Sequence, residues 1–332
     1  MLACSDPAGT TPPGPSTGGA GSSQGGNAGG GTAGSNASGG GGSSGLGGSG
    51  LGGGAGVGGG GAGASGGGSG GFGGGGTGGS GGSNGAVPSA GCNSPAAQDL
   101  ATWVEKPTLP VNGSDRQWWV WLPTGYDPAR AYPLVFTLHG CGGPDNFIPM
   151  QEQTGSDAIV VRGTGADDGC WTYGGEGDDV KFFDAMLAAM EDEYCVDTSR
   201  VFSMGYSSGA WMTNTLECTR GDKLRATGTL SGGRAGNGSN CVGKFARATV
   251  HDLDDPTNPF DQQGADDELA RVLAQNGCMT DVAPVPEDPA PCARYQGCDD
   301  GFPVIACRTE GEGHNRQDEL AMDAFWRLFS SL

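Results

Sequence analysis

A boundary near residue 90 divides this 332-residue chain into a part that cannot build a core and a part that can. Of its 70 glycines, 42 fall within residues 1–86, where Phe72 is the only aromatic residue. A tract of Gly, Ser, Ala and Asn with almost no apolar or charged side chains cannot offset the roughly 1–2 kcal/mol per residue that ordering a backbone costs. Residues 5–90 therefore read as a disordered Gly/Ser-rich linker, and the fold is to be sought in residues 91–332. That remainder, about 240 residues, is a length commonly filled by one α/β domain.

Within it, short apolar runs alternate with amphipathic segments. Arg116–Leu122 is rich in strand-forming aromatics and ends at Pro123-Thr124-Gly125, the mark of a strand running into a turn. Leu134–Leu138 is continuously apolar, as a strand covered on both faces should be. Ala158–Val161, Val201–Met204, Ala226–Leu230, Ala248–Val250 and Val304–Ala306 read as further strands. Asp178–Tyr194, Ala210–Glu217, Asp266–Gln275 and Asp318–Phe329 carry helical spacing. Strands and helices in alternation predict an α/β fold with a mostly parallel sheet covered by helices on both faces. Reactive residues then gather at the carboxyl ends of the strands.

The formal net charge is −20, and Asp6 is the one charged residue of the glycine-rich part. A surface so acidic repels polyanions, which argues against a nucleic-acid partner or an anionic membrane surface. Apart from Cys4 there are ten cysteines, an even number that suits five disulfides, an oxidising compartment and a disulfide-stabilised domain. No two have the C-x-x-C spacing of a zinc or redox site, so no metal is expected. Leu2-Ala3-Cys4 ahead of a polar tract has the pattern of a bacterial lipoprotein cleavage site, with Cys4 as the lipidated residue of segment 1–4. Only Met1 precedes it, so the signal reads as truncated. No run of 18 apolar residues suggests a transmembrane segment. The expectation is an exported, extracellular or cell-surface protein, monomeric and held by a lipid anchor, with a flexible tether whose reach is roughly 50 Å.

Gly205-Tyr206-Ser207-Ser208-Gly209 fits G-x-S-x-G, a pattern the glycine-rich tract also matches by composition, including around Ser43, Ser65, Ser69 and Ser80. Ser207 differs because its match lies between an apolar strand and a helix, where a sharp turn exposes a strained serine. The start of the next helix would then face the reacting centre with its free N–H groups. The Ser208 amide is one candidate oxyanion donor. The other is the Cys141 amide, in His139-Gly140-Cys141-Gly142-Gly143 at the end of an earlier strand. Cys141 itself reads as half of a disulfide rather than as a nucleophile. Serine needs a base and an acid that orients the base. Of the three histidines, His314 alone follows the nucleophile and a later acid in the chain order of this fold. Among Asp252, Asp254 and Asp255, the last is chosen as the acid and Asp254 as its alternate.

The residues Tyr132-Pro133-Leu134-Val135-Phe136, Leu138-His139-Gly140-Cys141, Cys170-Trp171, Asp179-Val180-Lys181-Phe182, Tyr194 through Val201, the Ser207 pentapeptide and Asp254-Asp255-Pro256 together resemble the feruloyl and acetylxylan esterases of carbohydrate esterase family one. They are equally similar to the related polyhydroxybutyrate depolymerases. The resemblance spans nearly all of residues 92–332 and implies an α/β-hydrolase fold. It also implies a Ser207–Asp255–His314 triad, Cys141 and Ser208 as oxyanion donors, and disulfides among Cys278, Cys292, Cys298 and Cys307. Many relatives carry Trp-Pro after the catalytic histidine, whereas Asn315-Arg316-Gln317 stands here. An aromatic wall of the substrate site is then expected from Trp171 or Trp211.

These features lead to a serine carboxylic-ester hydrolase that needs no cofactor and acts on feruloyl esters of plant cell-wall polysaccharide. A polyester such as polyhydroxybutyrate, or an acetylated xylan, is the alternative substrate. A surface-tethered binding module without catalysis is the alternative of another class, disfavoured by the intact set of nucleophile, acid and base. The Trp118, Trp119 and Trp121 cluster reads as a packed strand rather than a carbohydrate platform.

Overall fold

The computed structural model describes residues 85–332 apart from 97, 168, 235–240 and 262–263. Cys4 and most of the expected linker lie outside the described residues. The Val87 amide donates to Asp197 Oδ1 (2.9 Å), and Ser89 is bonded to both Tyr194 and Val196. The chain is thus attached to the domain a few residues before the expected start at 91.

Among the described residues twelve strands and five helices follow in order: β1 (Trp103–Glu105), β2 (Leu109–Val111), β3 (Ser114–Arg116), β4 (Trp118–Trp121), β5 (Tyr132–Leu138), α1 (Met150–Thr154), β6 (Ile159–Gly163), α2 (Asp178–Glu193), β7 (Val196–Tyr206), α3 (Ser208–Thr219), β8 (Ala226–Leu230), β9 (Ala246–Asp252), α4 (Ala265–Gln275), β10 (Val285–Pro286), β11 (Cys292–Arg294), β12 (Val304–Thr309) and α5 (Asp318–Ser330). One 3₁₀ turn, Pro144–Asn146, lies between β5 and α1. Ten strands form a sheet in the order β1-β4-β6-β5-β7-β8-β9-β12-β11-β10, and β2 and β3 pair by themselves. The six central strands are parallel and the two at each edge antiparallel.

Alternation along the strands sorts the core into two faces. In β5, Leu134, Phe136 and Leu138 pack with Phe183 and Met186 of α2 and Met212 and Leu216 of α3. Val135 faces the other way and joins Phe202, Met204 and the α5 residues Ala324, Phe325 and Phe329. Phe202 and Phe329 stack with ring centroids 4.5 Å apart. The central strands are therefore buried on both sides, which is why they read as continuous apolar runs.

Between α3, β8, β9 and α4 the core is polar. Glu217 accepts from Arg247 (2.5 Å), Arg271 (3.1 Å) and Thr227 (2.6 Å), and Arg247 also donates to Asn214 and Thr229. Buried charges persist there because each finds a partner of opposite sign and a hydrogen bond.

Most expected elements appear with extended ends; β7, for example, begins at Val196 rather than Val201. The predicted Arg116–Leu122 strand is divided, since Arg116 closes the β2–β3 hairpin and the sheet strand starts at Trp118. Trp118 is buried, donates to the Pro107 carbonyl (2.9 Å), and Trp121 packs edge-on against Trp103, as a packed strand requires. All ten described cysteines are paired, as Cys92–Cys195, Cys141–Cys170, Cys218–Cys241, Cys278–Cys298 and Cys292–Cys307.

Candidate active site

Ser207 joins β7 to α3 with φ 51° and ψ −118°, a conformation that L-residues rarely adopt. Its neighbours make that turn possible. A Cβ on Gly205 would lie 2.4 Å from the backbone of Gly209, and one on Gly209 would lie 2.1 Å from the Leu138 carbonyl oxygen. Both motif glycines are therefore fixed by close backbone approach, and the second presses α3 against the end of β5.

The loops after β9 and β12, two strands of the same parallel block, bring in Asp255 and His314. His314 Nε2 is 3.0 Å from Ser207 Oγ and His314 Nδ1 is 2.7 Å from Asp255 Oδ2. A carboxylate accepts, so Nδ1 carries the proton and the Nε2 lone pair is left facing the hydroxyl. Asp255 Oδ1 accepts the amides of Thr257 and Asn258, both at 2.8 Å. Burial pushes the Asp255 carboxyl up, but the Asn258 and Thr257 amides and His314 outweigh it and hold the group below its ordinary range.

The other two acidic residues at this strand end, Asp252 closing β9 and Asp254 in the loop, have different partners. Asp254 accepts the Gly311 amide (3.2 Å), and Asp252 accepts Thr309 Oγ1 (2.9 Å) and the Glu312 amide (3.0 Å), bracing the loop that carries His314. Tyr206, next to Ser207, donates its hydroxyl to the His314 carbonyl (2.7 Å).

His139 and His251 take no place beside Ser207. His139 Nδ1 donates to the Gly140 carbonyl (2.7 Å) while Nε2 accepts the Gly165 amide (3.0 Å), and His251 Nε2 donates to the Asn258 carbonyl (2.8 Å). Burial pulls both imidazoles below the ordinary histidine range.

Ser208 begins α3 directly after Ser207, and Cys141 lies in the loop pressed against that helix start. Neither amide donates to another described residue, whereas Gly142 and Gly143 both donate to the Gly169 carbonyl (3.1 and 3.0 Å). Two unspent N–H groups near a strained serine are what a developing oxyanion requires. Among the described residues no group of three or more His, Cys, Asp or Glu is placed to hold a metal ion.

No protein-family model matches the chain. It is 32% identical over 267 residues to feruloyl esterase C of Emericella nidulans, covering 73% of this chain and 93% of that one. The chain belongs to the feruloyl esterase family. Feruloyl esterase D of Neurospora crassa is 29% identical over 282 residues, covering 74% and 91%. In fold this esterase is similar to the acetyl xylan esterase from Aspergillus awamori, with TM-score 0.52, 18% identity, and coverage of 70% of this chain and 100% of that one. It is thus a carboxylic ester hydrolase with an α/β-hydrolase fold.

Of the two tryptophans expected at the substrate wall, Trp171 needs correction. It is 2% exposed, with its ring tilted against His139 at 5.1 Å, and offers no face to a ligand. Trp211 is half-buried one helical turn after Ser207, and its ring lies 4.8 Å from that of Tyr173, which is 51% exposed. Tyr173 carries no sequence signal, since it stands in a glycine-rich loop without periodicity. Arg316, in the Asn315-Arg316-Gln317 segment after His314, pairs with Asp318 and reaches Asn146.

Proposed function

We propose that this esterase cleaves the ester between a hydroxycinnamoyl acid such as ferulate and plant cell-wall xylan, with Ser207 as nucleophile, His314 as base and Asp255 as the acid that orients it. Ser207 Oγ passes its proton to His314 Nε2 and attacks the ester carbonyl carbon. The carbonyl oxygen takes up the charge facing the Cys141 and Ser208 amides. As the tetrahedral species collapses, the sugar oxygen leaves with the proton from His314, and the acyl group stays on Ser207. His314 then takes a proton from water, whose oxygen attacks the acyl carbon, and the acid leaves as Ser207 regains its proton. Asp255 remains ionised throughout.

The observation that carries this reading is the unbroken hydrogen-bonded series from Ser207 Oγ through His314 to Asp255, at 3.0 and 2.7 Å. Family membership supports the aromatic acyl group, and the Tyr173–Trp211 pair supplies flat apolar surface one turn from the nucleophile. Five disulfides support an extracellular or cell-surface location. The composition of the glycine-rich part supports its use as a tether, and the Leu2-Ala3-Cys4 pattern supports Cys4 as a lipid-anchor site of a monomeric enzyme. Turnover of methyl ferulate and of a hydroxybutyrate oligomer tests the acyl preference. Faster turnover of methyl ferulate agrees with the proposal, and preference for the oligomer contradicts it.

A further inference from the structure

The loop after β5 is held peptide plane by peptide plane. In a trans peptide the C=O and the N–H of one plane point in opposite directions. His139 Nδ1 holds the Gly140 carbonyl, so the Cys141 N–H on the same plane is aimed away from His139. The next plane is held at both ends: Asn146 Nδ2 donates to the Cys141 carbonyl (2.9 Å), and the Gly142 amide donates to Gly169. Asn146 also accepts the Gly140 amide on its own carbonyl (3.3 Å) and donates its backbone N–H to the Gly143 carbonyl (3.1 Å). One residue therefore touches the loop at Gly140, Cys141 and Gly143.

Which end of the Asn146 amide faces Cys141 is set from outside the loop. Arg316 Nη1 lies 3.3 Å from Asn146 Oδ1, and a guanidinium can only donate. The oxygen must then face Arg316 and the nitrogen must face the Cys141 carbonyl. Arg316 is fixed in turn by Asp318, with Nε 3.1 Å from both carboxylate oxygens, and it stands two residues after His314. A series Asp318–Arg316–Asn146–Cys141 thus links the loop of the base to the loop of the amide donor.

We propose that Asn146 is a positioning residue for ester hydrolysis: it holds the Cys141 peptide so that the N–H meets the oxyanion, and Arg316 holds Asn146 in the orientation that does so. This rests on the reading of Cys141 as an oxyanion donor and assigns work to Asn146 and Arg316, which the reading of the triad leaves without a role.

The test compares Asn146→Asp, Asn146→Ala and Arg316→Gln with the unaltered protein. Asn146→Asp keeps the size and the Arg316 contact but replaces the donor at the Cys141 carbonyl with an acceptor. For both Asn146 variants, kcat on methyl ferulate falls roughly ten- to hundred-fold, below the full cost of deleting an oxyanion donor. KM stays within about threefold, as for a contact made only in the transition state. Affinity for phenylboronic acid, whose tetrahedral adduct with Ser207 places an oxygen where the oxyanion forms, falls in step with kcat, while ferulate binding does not change. Arg316→Gln has a smaller effect, and Asn146→Ala with Arg316→Gln is no worse than Asn146→Ala alone.

If Asn146 only shapes the 3₁₀ turn, the variants melt earlier but keep the kcat and boronate affinity of the unaltered protein, and the proposal is overturned. Should Asn146→Ala fail to fold, Asn146→Asp and Arg316→Gln decide in the same way. Ser207→Ala separates the two levels. Activity that survives it removes the underlying reading, whereas activity lost in Ser207→Ala but kept in the Asn146 variants removes this proposal alone.

Discussion

The hydroxyl of Tyr206 donates to the main-chain carbonyl of His314 at 2.7 Å, and the two rings lie 5.3 Å apart. The residue before Ser207 thus holds the loop of the proposed base, His314, across two strands. A hydrogen bond of this kind contributes about 0.5–1.5 kcal/mol, so Tyr206→Phe should lower kcat by roughly two- to tenfold. KM for methyl ferulate should not move. Steady-state kinetics check this, and an unchanged kcat would remove Tyr206 from the account.

Gly209 tests the packing that makes the turn. A methyl group there meets the Leu138 carbonyl oxygen at 2.1 Å, and backbone cannot swing aside as a side chain can. Gly209→Ala should cost at least about 3 kcal/mol, at the upper end of overpacking effects. Thermal melting of the purified variant measures it, and a melting temperature near that of the unaltered protein contradicts the tight approach.

Trp211 is the accessible aromatic residue nearest in sequence to Ser207. Losing a stacking partner for an aromatic acyl group removes about 0.5–1.5 kcal/mol, so Trp211→Ala should raise KM for methyl ferulate roughly two- to tenfold. Turnover of 4-nitrophenyl acetate, which has no aromatic acyl group, should change less. Equal losses on both esters would place Trp211 outside the acyl site.

Stability should fall on mild acidification. His139 and His251 are buried and neutral, with folded-state pKa values below the unfolded value of about 6.5. As pH drops through that value the unfolded chain binds protons that the folded one does not, so stability decreases by up to about 1.4 kcal/mol per pH unit for each histidine. The loss ends once the folded-state pKa values are passed. Asp255, depressed in the fold, adds a further loss only below the ordinary carboxylate range. Urea midpoints from pH 7 to pH 5 measure the slope, which His251→Asn should make shallower by one proton. An unaltered slope would mean that His251 is charged in the fold.

Much of this site is legible in sequence because the fold imposes chain order. Ser207 stands at a strand-to-helix junction, and His314 is the one histidine that follows both it and an acidic loop. The central strands are legible because burial on both faces leaves uninterrupted apolar runs such as Leu134–Leu138. The short strands β10 and β11 are not, since Val285–Pro286 and Cys292–Arg294 are too brief for periodicity and lie in a region held by disulfides. Trp171 misleads because a tryptophan beside a cysteine near the site looks the same in sequence whether it faces the ligand or, as here, His139. Asn146 and Arg316 are invisible for another reason. Their roles arise from contacts 170 residues apart in the chain, which no local pattern encodes.

The central claim, that Ser207 attacks the ester, is tested most directly by methyl ferulate turnover in Ser207→Ala. The account predicts a loss of roughly 10⁴-fold or more in kcat, as when a nucleophile is removed from an intact triad. The melting temperature should stay close to that of the unaltered protein. Turnover within tenfold of that protein's would contradict it.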